Sequence, residues 1–272
     1  AIGYAHTVVA PNGSNFVKIF SAHDSFAALT TTGSIHAWGR AEYGGAGAPT
    51  GDGFVTIAST WYSFAALDAS GTIFDWGGGE FDPESSQQNP LGGSEPYVPP
   101  PTGSGFLSIA SSQAAFAALT STGSISSWGD SQMSSGAPPG DGYVAIASST
   151  FCFAALHSTG SISGWGANSL CSYQAPSGSG FLSIVASGNA FSATHSTGTI
   201  ALWPEHNTCC PAPAGTGPWV NITTNSNCFA ALDSAGAIHV WGNNMQYGCD
   251  SADAPTGGGW AELASTETLA PR

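Results

Sequence analysis

The chain has 272 residues, of which 42% are hydrophobic and only 7% are charged, and its formal net charge is −14. This composition can fill a packed core and argues against a disordered chain. Only three cations, Lys18, Arg40 and Arg272, stand against 17 acids. Because phosphate groups need several Lys or Arg contacts, nucleic acid is excluded as a partner and an anionic membrane surface is disfavoured. No apolar run reaches the ~18–20 residues of a membrane span, so no membrane insertion is expected.

In chain order, the first recognisable element is the segment Ser25-Phe26-Ala27-Ala28-Leu29, and related copies begin at Ser63, Ala115, Cys152, Ala190 and Cys228. Each copy is followed by a turn that ends in Gly and by an alternating run that ends in Trp. These anchor tryptophans are Trp38, Trp76, Trp128, Trp165, Trp203 and Trp241. Their spacings of 38, 52, 37, 38 and 38 residues indicate a repeat of about 38 residues with one insertion, at about residues 80–97.

Each repeat predicts three short strands. An opening aromatic, usually preceded by Gly, begins each one, at Phe16, Phe54, Phe106, Tyr143, Phe181, Trp219 and Trp260. In the second repeat we expect strands at 54–59, 63–68 and 72–76, the last two joined by a turn whose Gly can take positive φ. Gly- and Pro-rich connectors such as 39–53 contain too many helix breakers for a helix. The chain is therefore predicted to be all-β.

A three-stranded sheet cannot bury both faces alone, so the repeats must stack on one another. Radial stacking gives a β-propeller, in which each sheet is a blade. A linear solenoid is the alternative, but the chain lacks the polar capping repeats that a solenoid requires.

The recurring Phe-Ala-Ala-Leu, Gly-x-Ile-x-x-Trp-Gly and Ala-Pro motifs resemble the RCC1-like repeat family across nearly the whole chain. The resemblance implies a β-propeller of three-stranded blades, and the short repeat is most similar to the secreted, seven-bladed, β-lactamase-inhibiting propellers of the BLIP-II type. It implies little about function, because RCC1-like propellers serve as exchange factors, inhibitors and surface scaffolds.

Seven opening aromatics stand against six anchor tryptophans, so six complete blades and a composite seventh are predicted. The seventh blade would begin at Trp260 and take residues 4–9 as its closing strand. Residues 1–272 then form a single propeller domain. Since the N-terminus lacks an initiator Met and a leader, we expect a mature or trimmed product. Since the seventh Trp strand is missing, we also expect the mature chain to extend past Arg272.

The loop between the first and second strands differs most between repeats. Propeller symmetry would place these loops in a ring on one face, where large aromatics are typical of binding surfaces. Trp61, Tyr62 and Phe151 are therefore the first candidates for a partner-binding site. Equivalent loop positions carry His23, Asp24, Asn189 and Asn227. The alternative is that the aromatics fold inward over the blade edges.

Two N-glycosylation sequons, at Asn12 and Asn221, accompany an even number of cysteines. Both features are typical of secreted, extracellular proteins, in which disulfides persist and sequons on the surface are glycosylated. The chain is therefore predicted to be a secreted glycoprotein with disulfides.

The six cysteines are Cys152, Cys171, Cys209, Cys210, Cys228 and Cys249. Two of them occupy the same repeat position, immediately before the Phe of blades four and six, and each is followed 19 or 21 residues later by a connector cysteine. This predicts the disulfides Cys152–Cys171 and Cys228–Cys249. The adjacent Cys209 and Cys210 would form a vicinal disulfide or crosslinks to neighbours. Metal ligation is less favoured, because no Cys-x-x-Cys pair is present.

Catalytic signatures are missing: the sequence has no Gly-x-Ser-x-Gly elbow, His-Glu-x-x-His run or phosphate loop. His36 and His239 occupy equivalent positions in different blades and would be separated around the ring. His23 and Asp24 are adjacent, and adjacent side chains on a strand point to opposite faces. The acidic insertion lacks the EF-hand pattern, so no metal or cofactor is predicted. The recurring anchor tryptophans predict packing between blades.

These observations predict a secreted, non-enzymatic propeller whose loop face binds a protein partner or copies of itself. Such a protein would act as a scaffold at the cell surface or in an extracellular layer or filament. A glycan-binding lectin is the alternative, although a repeated lectin site would show the same residues in several loops, and these loops differ. A secreted enzyme inhibitor is the third hypothesis and depends on the resemblance alone.

Overall fold

The computed structural model describes residues 10–78, 97–167, 175–204, 211–214 and 217–242, together with Gly257 and Trp260. Its strands form six antiparallel sheets, and each sheet is one predicted blade. Contacts divide the chain into two units, the first containing residues 1–121 and 126–134 and the second containing 122–125 and 135–271. The single-domain assignment stays a prediction.

Blades 1 to 3 belong to the first unit, apart from the turn at 122–125. Blade 1 contains β1 (Phe16–Ser21), β2 (Ser25–Thr30) and β3 (Ile35–Gly39), and blade 2 contains β4 (Phe54–Ser59), β5 (Ser63–Asp68) and β6 (Ile73–Gly77). Blade 3 contains β7 (Tyr97–Val98), β8 (Phe106–Ser111), β9 (Ala115–Thr120) and β10 (Ile125–Asp130).

Blades 4 to 6 belong to the second unit. Blade 4 contains β11 (Tyr143–Ser148), β12 (Cys152–His157) and β13 (Ile162–Gly166), and blade 5 contains β14 (Phe181–Ala186), β15 (Phe191–His195) and β16 (Ile200–Trp203). Blade 6 contains β17 (Trp219–Thr224), β18 (Cys228–Asp233) and β19 (Ile238–Gly242).

The middle strands of blades 2 to 6 are largely buried on both faces, which explains their apolar sequences. In blade 2 the register places Phe64 opposite Trp76, and their rings stack 5.2 Å apart at an interplanar angle of 17°. Equivalent stacks join Phe116 to Trp128, Phe153 to Trp165, Phe191 to Trp203 and Phe229 to Trp241. Four anchor tryptophans are at most 2% exposed and Trp76 is 7% exposed, so these five pack in the core as predicted. The sixth, Trp38, stacks on Phe26 but is only half-buried.

Within a unit, the face of one blade that carries small aliphatic side chains packs against the face of the next blade that carries large aromatic side chains. Ala27 and Leu29 of blade 1 lie in the same buried cluster as Phe64 and Trp76 of blade 2. The same arrangement recurs between blades 4 and 5, where Ala154 and Leu156 meet Phe191 and Trp203. The exception is Phe26 of blade 1, which occupies the same position as Phe64 but is 42% exposed.

The glycine of each turn between the second and third strands fixes where the next repeat begins. Gly71 has a φ of +79°, and a Cβ there would lie 2.6 Å from the backbone nitrogen of Phe106. The Phe106 N–H donates to the Gly71 carbonyl across 3.1 Å. In the second unit, the Trp260 N–H donates to the Gly236 carbonyl in the same way, across 3.4 Å. Trp260 is therefore positioned to open a seventh repeat, while residues 4–9 and 261–272 lie outside the described residues.

Two details differ from the sequence expectation. The end of the insertion supplies a fourth strand to blade 3, because Tyr97 and Val98 pair with Asp130 and Gly129 in antiparallel register. Short helical turns also occur in two connectors, a 3-10 helix at Ala41–Tyr43 and an α-helical turn at Ser131–Ser134. The second follows from capping, since the Asp130 carboxylate accepts the Met133 N–H across 3.1 Å. Residues 80–96 of the predicted insertion lie outside the described residues.

Candidate binding site

The loops between first and second strands lie side by side within each unit. In the first unit, the His23 N–H donates to the Trp61 carbonyl across 2.9 Å, and the Trp61 N–H donates to the Gln113 carbonyl across 3.0 Å. In the second unit, Thr150 and Gly188 donate in the same way, across 2.8 and 2.9 Å, to the next loop. Neighbouring loops are therefore adjacent within each unit, while the predicted ring and its role in binding stay predictions.

In blades 2 to 6 a polar side chain after the first strand caps the loop, whereas blade 1 has Ala22 at this position. The Thr60 hydroxyl accepts the backbone N–H groups of Tyr62 and Ser63 across 3.2 and 3.0 Å. Ser112, Ser149, Ser187 and Asn225 cap the corresponding loops of blades 3 to 6. Such caps are ordinary Ser/Thr and Asx turns. The two residues after each cap contribute no side chain to this closure, so they can vary.

Six side chains from blades 1 and 2 meet in what we call the loop cluster. They are His23, Asp24, Arg40, Tyr43, Trp61 and Tyr62. The Tyr62 ring lies 4.9 Å from that of Tyr43, edge to face, and 6.2 Å from that of Trp61. The His23 ring lies 6.1 Å from Trp61 and 6.4 Å from Tyr43. Three of these pairs have the favourable edge-to-face geometry, and the His23–Trp61 pair is tilted at 47°.

Charged groups lie beside these rings. The His23 Nδ1 is 3.0 Å from the Asp24 carboxylate, and an Arg40 guanidinium nitrogen is 3.6 Å from the same group. Arg40 also lies over the Tyr43 ring, 4.3 Å from its centroid, and 3.4 Å from the Glu42 carboxylate. The expectation that adjacent His23 and Asp24 would point apart is wrong, because both residues lie in a loop and not on a strand.

Burial in the loop cluster is partial. His23, Asp24 and Arg40 expose 57%, 43% and 46% of their side chains, while Trp61 and Tyr62 are half-buried. Burial raises the pKa of Tyr62, and the neighbouring Tyr43 and Asp24 raise it further. The Trp61 Nε1 is buried without a hydrogen-bond partner. The two aromatics thus fold partly inward, as the alternative interpretation anticipated, and keep part of their surface available.

Sequence reasoning missed Arg40 and Tyr43, which belong to the connector after the third strand of blade 1. The Arg40 N–H donates to the Asp24 carbonyl across 2.9 Å, and the Ser25 hydroxyl donates to the Tyr43 carbonyl. The Trp76 Nε1 holds the end of the connector by donating to the Gly44 carbonyl across 3.0 Å. One signal was available, since Arg40 is one of only three cations and directly follows the Trp38-Gly39 anchor.

A second unpredicted feature recurs in every first strand. The residue after the opening aromatic forms a β-bulge, and its apolar side chain is 54–67% exposed. These residues are Val17, Val55, Leu107, Val144, Leu182 and Val220. Bulges on edge strands disturb the ladder and discourage pairing with another chain. The signal was visible in the sequence, because Val or Leu follows the opening aromatic in all six repeats.

The remaining candidates are placed as follows. Phe151 is 44% exposed on its loop in the second unit, Asn189 is exposed, and Asn227 is half-buried with its N–H donating to Asn225 across 2.9 Å. Both sequon asparagines, Asn12 and Asn221, are exposed, while their glycosylation stays a prediction.

Two of the cysteines belong to middle strands of the second unit. Cys152 is half-buried and Cys228 is 4% exposed. Cys171, Cys209, Cys210 and Cys249 lie outside the described residues, so the predicted pairing stays a prediction.

Within the described ranges, no group of three or more His, Cys, Asp or Glu side chains could hold a metal ion. The repeat-equivalent histidines have local partners, since His36 packs on Phe16 and His239 lies 2.9 Å from Asp233. No described helix has the length and apolar character needed to cross a membrane.

The antiparallel sheets repeat along the chain, and the aliphatic face of one sheet packs on the aromatic face of the next. This arrangement defines the chain as an all-β protein of the β-propeller class. No family model matches the sequence, and the search of curated proteins gives no match.

Solved structures do match. The Saccharomyces cerevisiae protein Prp20p, whose binding to Gsp1p and histones is described, is similar with a TM-score of 0.55 and 14% identity over 86% of this chain and 73% of that one. The ectodomain of the Physcomitrella patens receptor kinase CR4 gives a TM-score of 0.54 and 20% identity over 86% of this chain. This chain spans 63% of that ectodomain. At these identities the comparisons show the fold alone, a β-propeller similar to that of Prp20p, and the finer BLIP-II type stays a prediction.

Proposed function

We propose that this propeller is a non-enzymatic scaffold that binds a partner protein through the loop cluster. The observation that carries the proposal is the meeting of Trp61, Tyr62, Tyr43 and Arg40 on neighbouring loops. Trp, Tyr and Arg are the residues that dominate binding energy in protein interfaces, where they lie in well-packed, partly desolvated positions. A surface loop also carries function more often than the scaffold beneath it.

Folding alone does not account for these residues. The loops of blades 3, 5 and 6 close with the same type of polar cap and carry Gln113, Asn189 and Asn227 at the variable positions. An aromatic pair is therefore unnecessary for the loop to form. Since large aromatics on exposed loops reduce solubility, their presence favours a contact surface.

The test is photocrosslinking in extract from the native source. Tyr62→p-benzoylphenylalanine should give a discrete protein adduct that disappears when Trp61→Ala is added. Phe74→p-benzoylphenylalanine is the matched control, since Phe74 is 39% exposed on the third strand of blade 2. Equal adducts from both positions, or none from position 62, would contradict the proposal. An adduct of twice the chain mass would identify the partner as a second copy, and an adduct with an enzyme would favour the inhibitor hypothesis.

A lectin is the second candidate, because His23, Asp24 and Arg40 place hydrogen-bonding groups next to the Trp61 ring. Glycan arrays distinguish the two functions. Saturable binding of one glycan that is lost in Trp61→Ala, without a protein adduct at position 62, would favour the lectin.

Secretion and an extracellular scaffold role are part of the same proposal. Support comes from the even number of cysteines and from the exposed sequons at Asn12 and Asn221. Material from the native source should shift in mass after enzymatic deglycosylation and should migrate faster without reductant. Native material that carries free thiols and no glycan would contradict an extracellular location.

A further inference from the structure

The most informative group in the loop cluster is the guanidinium of Arg40. It lies 4.3 Å from the centroid of the Tyr43 ring, 3.6 Å from the Asp24 carboxylate and 3.4 Å from the Glu42 carboxylate. An aromatic face together with carboxylates is the environment that proteins use to bind a cation. Here the cation belongs to the chain itself.

The contacts that hold Arg40 are weak. Its side chain is 46% exposed, and its ion pairs with Asp24 and Glu42 are long and solvent-exposed. Exposed ion pairs of this kind contribute little free energy, because water screens the charges and the long side chain loses conformational entropy. Arg40 can therefore leave its position at low cost.

The rest of the chain favours an incoming cation. Its formal net charge is −14, and Arg40 is one of only three Lys and Arg residues. When Arg40 moves away, the carboxylates of Asp24 and Glu42 and the Tyr43 ring, which now contact its guanidinium, remain around the vacated position. The titratable neighbours of Asp24 are then His23 and Tyr62. A negative surface of this kind steers cationic partners toward it.

We propose that the partner of the loop cluster presents a cationic side chain, an arginine or lysine of a basic segment, which takes the position that Arg40 now holds over Tyr43. In the free protein, Arg40 thus occupies the binding position of the partner's cation and is displaced when the partner binds. The inference rests on the proposed protein-binding function and specifies the chemistry of the partner. The half-buried rings of Trp61 and Tyr62 supply the apolar contact around the incoming group.

The experiment measures the dissociation constant of a fluorescein-labelled peptide of alternating Gly and Arg by fluorescence anisotropy. Removing the resident cation in Arg40→Ala should tighten binding by about two- to fivefold, because the peptide then no longer displaces the weak, exposed contacts of Arg40. Asp24→Asn and Trp61→Phe should weaken it by about the same factor. Asp52→Asn is the matched control, because it removes one exposed carboxylate at the opposite end of the blade and should change binding less than about twofold. Circular dichroism confirms that each variant is folded.

The outcomes separate the two proposals. If Arg40→Ala weakens binding, Arg40 is itself a contact residue, and the displacement mechanism is wrong while the photocrosslinking result at position 62 still stands. If Asp24→Asn and Asp52→Asn weaken binding of the peptide equally, the net charge of the protein alone accounts for binding, and the inference is overturned. A peptide of alternating Gly and Glu should not bind.

Discussion

The contact between the turn glycine of one blade and the first strand of the next should not tolerate even one added methyl group without a loss of stability. Gly71 has a φ of +79°, and a methyl group on it would lie 2.6 Å from the Phe106 nitrogen and 2.6 Å from the Phe106 oxygen. Gly71→Ala therefore combines the strain of a left-handed residue, about 1 kcal/mol, with an overpacking cost of about 1–3 kcal/mol. We expect it to lower the free energy of unfolding by about 2–4 kcal/mol.

Gly47→Ala isolates the strain. Gly47 has nearly the same φ, +82°, but a Cβ there would meet nothing within 4 Å. It should lower the free energy of unfolding by only about 1 kcal/mol. Urea denaturation followed by tryptophan fluorescence measures both values. Equal losses in the two variants would show that the approach of the next blade does not restrict Gly71, and the reasoning on blade spacing would then be refuted.

Two further predictions concern packing and pH. Phe64→Ala should lower the free energy of unfolding by about 3–5 kcal/mol, because Phe64 is 0% exposed. Phe26→Ala, at the same position of blade 1, should lower it by about 1–2 kcal/mol, because Phe26 is 42% exposed. Equal losses of the two variants in urea denaturation would contradict this prediction. The hydrogen bond from His239, and to a smaller extent those from backbone N–H groups, lower the pKa of Asp233 in the folded protein. Its carboxylate therefore stabilises the fold above its unfolded pKa of about 3.9. This stability is lost as the pH falls through the folded pKa. Asp233→Asn should therefore show a smaller decline of melting temperature between about pH 5 and about pH 3 than the parent or Asp52→Asn, and parallel declines would contradict this linkage.

The blade could be predicted from the sequence because its main determinants are local and repeated. The strands expected at 54–59 and 63–68 are β4 and β5, and the pairing of Phe64 with Trp76 follows from their positions on either side of one turn. The fourth strand of blade 3 could not be predicted in this way. Tyr97 and Val98 pair with β10 across an insertion that has no counterpart in the other repeats, and the Tyr97 hydroxyl donates to Asp75 of another blade.

The loop cluster was predictable only in part. Trp61 and Tyr62 were found because they replace smaller residues at a position that can be compared between repeats. Arg40 and Tyr43 were not, because a connector has no strand register to fix its course. Their placement depends on the 3-10 turn at Ala41–Tyr43 and on the Trp76 indole, which binds the Gly44 carbonyl across 3.0 Å.

The repeat itself indicates which residues serve function. A residue required for folding recurs at its position in most blades, as the stacked Phe and Trp pairs do. The side-chain caps that close the loops also recur, in five blades. Trp61 and Tyr62 directly follow such a cap, yet no other repeat has two aromatics at these positions. Since the loop closes equally well around Gln113 or Asn189, the aromatic pair answers a requirement other than folding, and a contact with another molecule is the one that large, half-exposed rings meet best.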